Sequence, residues 1–451
     1  MLRLYKASWL GFSTFPVQLQ RILYSSTSSL KRLPRRAADL SSLARSVMAN
    51  VTANGTKPAN SEVGEVLDER FADVEDVFRV NFEDGLESEG AAFSVFFEGS
   101  LVLDLYGGFA CKKQGLLWQR DTKSILFSTS KSICAIIVAH LVDKGKLSYD
   151  DKVVKFWPEF GKHGKGGITI RHICSHQAGL PYQNVIMTVE DFKDWSKVAK
   201  IFEDSEPLWR PGAKTGYHAL SIGLLIDQVL RRVDDKGRGV NEYFKQEMQG
   251  EYEFLDEITF GLECETHNES VAVIKQASED EIRAEGERNP EALRRWNLGS
   301  NHHNERLYQQ WPWITTDDYN KLENRLLPMP SNMGIGTARA LAKLHSLVAN
   351  AELLSTKTLE ILSSPELEDE MDVINGYCEN KGYGFQFTKN PNGQWIFGHS
   401  GFGGQNVRVD VHNKLSFAYI CNGLKISDAD MVESFARLKN SVYMCVSRIR
   451  Q

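Results

Sequence analysis

The sequence lacks the cysteine patterns of metal and redox sites. Its seven cysteines are spread over 451 residues and form no C-x-x-C pair. Such pairs are typical of zinc-binding modules and of thiol–disulfide enzymes, so neither class is indicated. An odd number of widely spaced cysteines fits a reducing compartment better than a disulfide framework. The sequence therefore predicts no metal site and no cofactor.

Long apolar runs are also missing. No stretch approaches the roughly 18 consecutive apolar residues that a membrane span needs, so no transmembrane segment is predicted. A formal net charge of −6 gives no general attraction to the phosphates of nucleic acid, which makes nucleic acid an unfavoured partner. With 42% hydrophobic and 25% charged residues, the composition is that of a soluble globular protein.

Acidic residues are absent from the first 38 residues, which carry seven lysines and arginines among many serines. This bias is typical of a mitochondrial transit peptide, so we expect mitochondrial import. A cytoplasmic protein with a basic tail and a secreted protein are the alternatives. The polar stretch that follows, with Gly55 and Pro58, is typical of a linker. We expect residues 1–60 to be leader and linker, and residues 61–451 to be the folded domain.

The remaining pattern predicts a mixed α/β (α+β) fold. Alternating and β-branched runs occur near residue 90 as a hairpin joined at Gly99-Ser100, and again as four strands between residues 383 and 423. Helical periodicity marks both flanks and most of the chain between Ser124 and about Pro365. We therefore expect one antiparallel sheet built from both chain ends and flanked by terminal helices, with a mostly helical region inserted. Residues 251–291 of that region are acidic and irregular, and the stretch "ASEDEIRAEGERNPEALRRW", residues 277–296, predicts a solvated helix pair or a lid.

The stretch "FSTSKSICAII" places Ser128 three residues before Lys131 at the start of a strongly apolar helix. Residues three apart share a helix face, so the lysine can exchange a proton with the serine. The positive helix terminus also favours the anion that forms when a carbonyl is attacked. Since S-x-x-K occurs often by chance, an ordinary N-cap beside a solvated lysine explains the local stretch equally well.

Two later stretches add polar groups. Tyr217 follows a Pro-Gly turn in "RPGAKTGYHALSIGLLI" and precedes an apolar helix, where its phenol could carry a second proton. In "WIFGHSGFGGQNV" a strand runs into His399, Ser400 and Gly401, and the glycines that follow allow close approach of a substrate to the backbone.

Taken together, Ser128-x-x-Lys131, Tyr217 in Tyr-x-Ala and His399-Ser400-Gly401 resemble the three motifs of the serine β-lactamase and penicillin-binding-protein superfamily. The stretches "ITIRHICSHQAGLP" and "SNMGIGTARALAKLHSLVAN" are also similar to segments of that superfamily. The resemblance covers about residues 66–448 and is greatest for the class C-like esterase branch.

The resemblance implies a β-lactamase-like fold and a serine hydrolase that works through an acyl-enzyme. Ser128 would be the nucleophile, and Lys131 and Tyr217 the base system. Burial would lower the pKa of the lysine, or a neighbouring cation would lower the pKa of the tyrosine. His399, Ser400, Gly401 and Phe402 would bind substrate, with the backbone N–H groups of Ser128 and Phe402 forming the oxyanion hole. His172 and His176 match scaffold positions, and His302-His303 is expected in an exposed loop.

Two departures from the motifs bear on substrate. Ala219 stands where many members carry Asn or Ser, and His399 stands where β-lactamases carry lysine. A histidine is mostly neutral at pH 7, so a permanent cation for the antibiotic's carboxylate is missing. An ester, an amide or a small peptide becomes the expected substrate.

Other functions stay open. A scaffold or filament-forming protein could keep this fold with little catalysis, and self-assembly into a homo-oligomer is compatible with either function. A cell-wall enzyme of the penicillin-binding type would need peptidoglycan, which an import leader disfavours. The intact set of Ser128, Lys131 and Tyr217 favours the enzyme.

Overall fold

The computed structural model describes residues 63–451. The leader and linker expected for residues 1–60, and with them the expected import, lie outside the described residues. None of the helices within residues 63–451 combines the length and the apolar character needed to cross a bilayer.

Strands from both ends of the described chain form one antiparallel sheet, as the sequence predicts. The strands are β1 (Glu65–Val66), β2 (Gly90–Phe97), β3 (Ser100–Cys111), β4 (Leu116–Leu117), β8 (Leu367–Met371), β9 (Cys378–Gly382), β10 (Phe385–Lys389), β11 (Trp395–Ser400), β12 (Asn406–Asp410) and β13 (Leu415–Cys421), with β5 (Ser124–Ile125), β6 (Thr259–Phe260) and β7 (Gly334–Gly336) outside this sheet. The order is β1-β3-β2-β13-β12-β11-β10-β9-β8, and β4 pairs with β3.

The pairing of β2 with β13 joins the two ends. Its register runs from Phe97↔Leu415 to Ala91↔Cys421. Every residue of both strands is buried, because the sheet is covered on both faces at its centre. The hairpin turn between β2 and β3 is made by Glu98 and Gly99, which both have positive φ, as a tight turn between twisted strands requires.

Helices lie on both sides of the sheet. They are α1 (Asp73–Glu83), α2 (Ser130–Asp143), α3 (Ile170–Cys174), α4 (Trp195–Asp204), α5 (Ser221–Val233), α6 (Val240–Phe244), α7 (Glu279–Arg288), α8 (Pro290–Leu298), α9 (His302–Gln310), α10 (Leu322–Arg325), α11 (Ala338–Ala349), α12 (Thr356–Ile361) and α13 (Glu433–Arg450). The terminal helices α1 and α13 pack together on one face of the sheet, and α11 packs on the other. The expected flanking by terminal helices is therefore correct, with both on the same face.

The central helix α2 is buried over nearly its whole length, from Ser130 to Leu141. A helix that is apolar all round can only lie in a core, and α2 lies between the sheet and the helical region. It ends at Asp143, because Gly145, two residues further on, takes the left-handed conformation that ends a helix.

The region between residues 124 and 365 is mainly helical, as expected, with a small sheet in the order β5-β7-β6. Its acidic part forms the helix pair α7 and α8. The expectation of a loop at His302-His303 is wrong, although His302 is exposed as expected. These residues begin α9, because Asn301 caps its N-terminus, and the ring of His303 contacts the Tyr182 hydroxyl at 2.9 Å.

Candidate active site

The turn that carries Ser128 is strained and tightly held. Phe127 has a φ of 45°, which is unfavourable for a residue with a side chain. Its ring is fixed between Tyr319 at 4.8 Å and Phe402 at 5.7 Å, measured between ring centroids. Strand β7 holds the turn on both sides, because the Gly334 carbonyl accepts from the Leu126 N–H and the Gly334 N–H donates to Ser130 Oγ. Ser128 is thus presented, half-exposed, just before α2.

Lys131 lies one turn along, as its spacing predicts. Its Nζ donates to Ser128 Oγ at 2.8 Å and to the Ser331 carbonyl at 3.0 Å. The side chain is only 2% exposed, and this burial lowers the pKa of the Lys131 amine to about 7. A large share of the amine is therefore neutral near pH 7 and able to accept the Ser128 proton.

Tyr217 lies on the loop before α5, with Lys131 Nζ 5.0 Å from the centre of its ring. Burial raises its pKa well above 10, although a hydrogen bond with Ser128 acts in the opposite direction. The expectation of a tyrosine with a lowered pKa is therefore wrong. Tyr217 is a neutral phenol that can pass a proton on, and Lys131 is the group whose pKa suits a base.

The strand motif lies beside these residues. His399 lies at the end of β11 with its ring 6.1 Å from that of Tyr217. Gly401 follows, and a Cβ at this position would stand 2.8 Å from the Leu126 carbonyl, so only glycine lets the strand approach the Ser128 turn this closely. The approach brings Phe402 against Phe127.

The two backbone N–H groups of the expected oxyanion hole are open to a ligand. Within residues 63–451 neither the Ser128 N–H nor the Phe402 N–H donates to another backbone group. Unpaired N–H groups beside a nucleophile can bind the negative oxygen of a tetrahedral intermediate. The arrangement fits the expected role, and the roles of all seven predicted site residues stay predictions that only activity can test.

A buried cluster of ion pairs supports the Tyr217 loop, and the sequence motifs do not predict it. Asp372 Oδ1 accepts from the Tyr217 N–H at 3.1 Å, although the two residues are 155 positions apart. Lys381 forms ion pairs with Asp372 and with Glu379, the latter at 2.8 Å. Glu379 and Lys381 alternate along β9, but no sequence pattern indicates that Asp372 reaches the tyrosine loop.

Histidines around the site are bonded within the fold, as expected for scaffold residues. His172 accepts from the Thr169 N–H and closes the N-terminus of α3. His176 Nδ1 accepts from the His218 N–H at 3.0 Å. Across residues 63–451 no group of three or more His, Cys, Asp or Glu side chains could hold a metal ion.

Helix α8 contacts the strand motif through Trp296. The Trp296 ring stacks on Phe402 with 6.1 Å between centroids. The helix pair is tied to the loop after β13, since Glu285 accepts from the N–H groups of Ile426 and Ser427, both at 2.9 Å. The acidic segment therefore contributes an aromatic wall beside the site in addition to its solvent-facing charges.

Comparison with known proteins identifies the family. The family model named Beta-lactamase matches residues 78–439, which is most of the chain. The chain belongs to the Beta-lactamase family. The resemblance seen in the motifs is thereby confirmed, and the mixed α/β fold with its antiparallel sheet is that of the Beta-lactamase family's esterases.

Individual members of the Beta-lactamase family are moderately similar. The Esterase/beta-lactamase LipL of Mycobacterium tuberculosis is 30% identical over 198 residues, 44% of this chain and 45% of that protein. The Beta-lactamase of Escherichia coli is 29% identical over 137 residues, 30% of this chain and 35% of that protein. These matches span less than half the length of either relative.

A solved structure agrees over a longer stretch. A family VIII carboxylesterase has 27% identity and a TM-score of 0.74, over 85% of this chain and 100% of that one. The similar proteins are named as esterases and β-lactamases, which supports a hydrolase of the β-lactamase fold.

Proposed function

We propose that this protein is a serine hydrolase that forms an acyl-enzyme at Ser128 and acts on an ester, an amide or a small peptide. The observation that carries the proposal is the 2.8 Å contact between Ser128 Oγ and the amine of the buried Lys131. The names of the matched esterases and β-lactamases support the same reaction class. Mitochondrial import is a further part of the proposal. It is supported by residues 1–38, which are basic and contain no Asp or Glu.

In the first half-reaction the neutral Lys131 amine accepts the Ser128 hydroxyl proton while Oγ forms a bond to the substrate carbonyl carbon. The carbonyl π electrons move to oxygen, which accepts hydrogen bonds from the Ser128 and Phe402 N–H groups. When the carbonyl re-forms, the bond to the leaving group breaks. The proton held by Lys131 passes to the leaving group, with the Tyr217 hydroxyl as the relay, and the acyl group stays on Ser128.

In the second half-reaction water takes the place of the leaving group. Lys131, neutral again, accepts a proton from the water as its oxygen attacks the acyl carbon. Collapse of this intermediate releases the acid, and Ser128 Oγ recovers its proton. The same three side chains serve both halves, so no further base is required.

The proposal is tested by covalent labelling with a fluorophosphonate probe. We expect one label per chain, on Ser128, and Ser128-dependent hydrolysis of p-nitrophenyl butyrate. Ser128→Ala should abolish both, whereas the matched change Ser300→Ala, at an exposed position, should change neither. A folded wild-type protein that neither labels nor turns over any ester would overturn the proposal and leave the scaffold hypothesis.

A further inference from the structure

The surroundings of His399 determine which of its ring nitrogens carries the hydrogen. Nδ1 lies 2.6 Å from the backbone carbonyl oxygen of Ser400. A carbonyl oxygen can only accept, so Nδ1 carries the hydrogen and donates it. Nε2 of the neutral ring is then a lone-pair acceptor. The ring is 1% exposed, and within the described part of the chain Nε2 has no hydrogen-bond partner.

The neutral state of this ring has a physical cause. Burial lowers the pKa of His399 well below 6.5, and the nearby Lys131 acts in the same direction. The charged and aromatic groups around the ring are Lys131, Arg408, Tyr217, His176 and the Lys381 ion-pair cluster. Where β-lactamases carry a lysine, which is a permanent hydrogen-bond donor, this protein therefore carries a histidine whose Nε2 can only accept.

The neighbouring donors of the strand motif are already used inside the fold. The Ser400 N–H and the Ser400 Oγ–H both donate to Gln386 Oε1, at 2.8 and 2.9 Å. Because a backbone N–H requires an acceptor, the orientation of the Gln386 amide follows from the first bond. The Gly401 N–H donates to the Gln405 carbonyl at 2.7 Å. The motif thus has no donor left for a substrate carboxylate, apart from the Phe402 N–H of the oxyanion hole.

We propose that His399 Nε2 is an acceptor subsite that receives an N–H of the substrate, and that the preferred substrates are peptide-like esters or amides with a neutral amide N–H beside the scissile carbonyl. The inference rests on the proposed function and narrows it. In this subsite a substrate carboxylate would meet the lone pair of Nε2 and not a donor. His399 is then a specificity-determining residue.

The test uses two substrates that differ by one hydrogen-bond donor: the p-nitrophenyl esters of N-benzyloxycarbonylglycine and N-benzyloxycarbonylsarcosine. In sarcosine a methyl group replaces the N–H. The wild type should prefer the glycine ester in kcat/KM, and His399→Lys should reduce that preference by about 2- to 12-fold, the value of one neutral hydrogen bond. The matched change His412→Lys, on an exposed turn, should leave the preference unchanged.

A second measurement needs no variant. N-benzylacetamide should inhibit wild-type hydrolysis of p-nitrophenyl butyrate more strongly than N-benzyl-N-methylacetamide, by a similar factor. Equal inhibition by the two amides, or a glycine-to-sarcosine preference that is the same in His399→Lys, would overturn the inference. Absence of Ser128-dependent turnover of p-nitrophenyl butyrate would instead overturn the proposed function, so the two failures are distinct.

Discussion

At the scale of single residues, Lys131 sets the expected pH dependence. Its pKa is lowered to about 7 by burial, and only the neutral amine can accept the Ser128 proton. Activity should therefore be lost as the pH falls below about 7, with kcat/KM dropping roughly tenfold per pH unit, and should level off above it. The measurement is a pH profile of kcat/KM on p-nitrophenyl butyrate between pH 5 and 9.

The control for this profile is Lys131→Met, which fills the same space without an amine. It should lower kcat/KM by about 10²- to 10⁴-fold, the usual contribution of a general base. Its melting temperature should change little, because removing the cost of burying the amine offsets the loss of its bond to the Ser331 carbonyl. Near-normal turnover in this variant would exclude lysine as the base.

His399 gives a second prediction, on the preference between esters and β-lactams. Wild-type protein should hydrolyse p-nitrophenyl acetate or butyrate far better than a chromogenic cephalosporin, because the neutral His399 supplies no permanent cation for the antibiotic's carboxylate. Restoring one with His399→Lys should shift the ratio of the two rates towards the cephalosporin by about one to two powers of ten, the value of a charge-assisted hydrogen bond. A wild type that prefers the cephalosporin would contradict the proposed substrate class.

At the scale of secondary-structure elements, α8 should act on the acyl group of the substrate. Trp296 and Phe402 form an aromatic wall beside the Ser128 turn. Trp296→Ala should raise KM for p-nitrophenyl octanoate by about 4- to 15-fold, comparable to losing one or two buried CH₂ contacts, and should change KM for the acetate little. Steady-state kinetics on both esters provide the comparison.

Arg294→Ala is the matched control, because Arg294 lies on the exposed side of the same helix. Both KM values should stay within twofold of the wild type. If Trp296→Ala changes KM for the acetate and the octanoate equally, α8 supports the structure of the site and does not contact long acyl chains.

At the scale of the whole molecule, helices α1 and α13 lie on the face of the sheet away from Ser128. Changes in their packing should alter the stability of the fold and leave catalysis unchanged. Phe435 on α13 is fully buried and packs against Phe417 and Tyr419 of β13. Phe435→Ala should lower the free energy of unfolding by about 3–5 kcal/mol, as large-to-small core substitutions do. Urea titration measures this loss, and KM of the folded fraction should be unchanged because the sheet separates α13 from Ser128. A raised KM at low urea would show that the two faces are coupled.

Much of this architecture could be predicted from the sequence because its signals are local. The alternating runs of β2, β3 and β10–β13, and the periodicity of α2, are set by which residues can be buried on each face. The S-x-x-K spacing alone places Ser128 and Lys131 together, since three residues make one helical turn. The stretch 277–296 predicts a helix pair or a lid and forms the helix pair, but its periodicity carries no sign that Trp296 meets Phe402.

The order of the three motifs, the mixed fold and the proximity of Ser128 to Lys131 all follow from local patterns in the sequence. Tertiary structure alone decided the electrostatics. Burial depth is a property of the packed molecule, so only the fold shows that the pKa of Lys131 falls while that of Tyr217 rises. The proton on His399 Nδ1 depends on a carbonyl 2.6 Å away, and the support of Tyr217 depends on Asp372, 155 residues distant. Such contacts form where distant segments meet, and no local pattern encodes them.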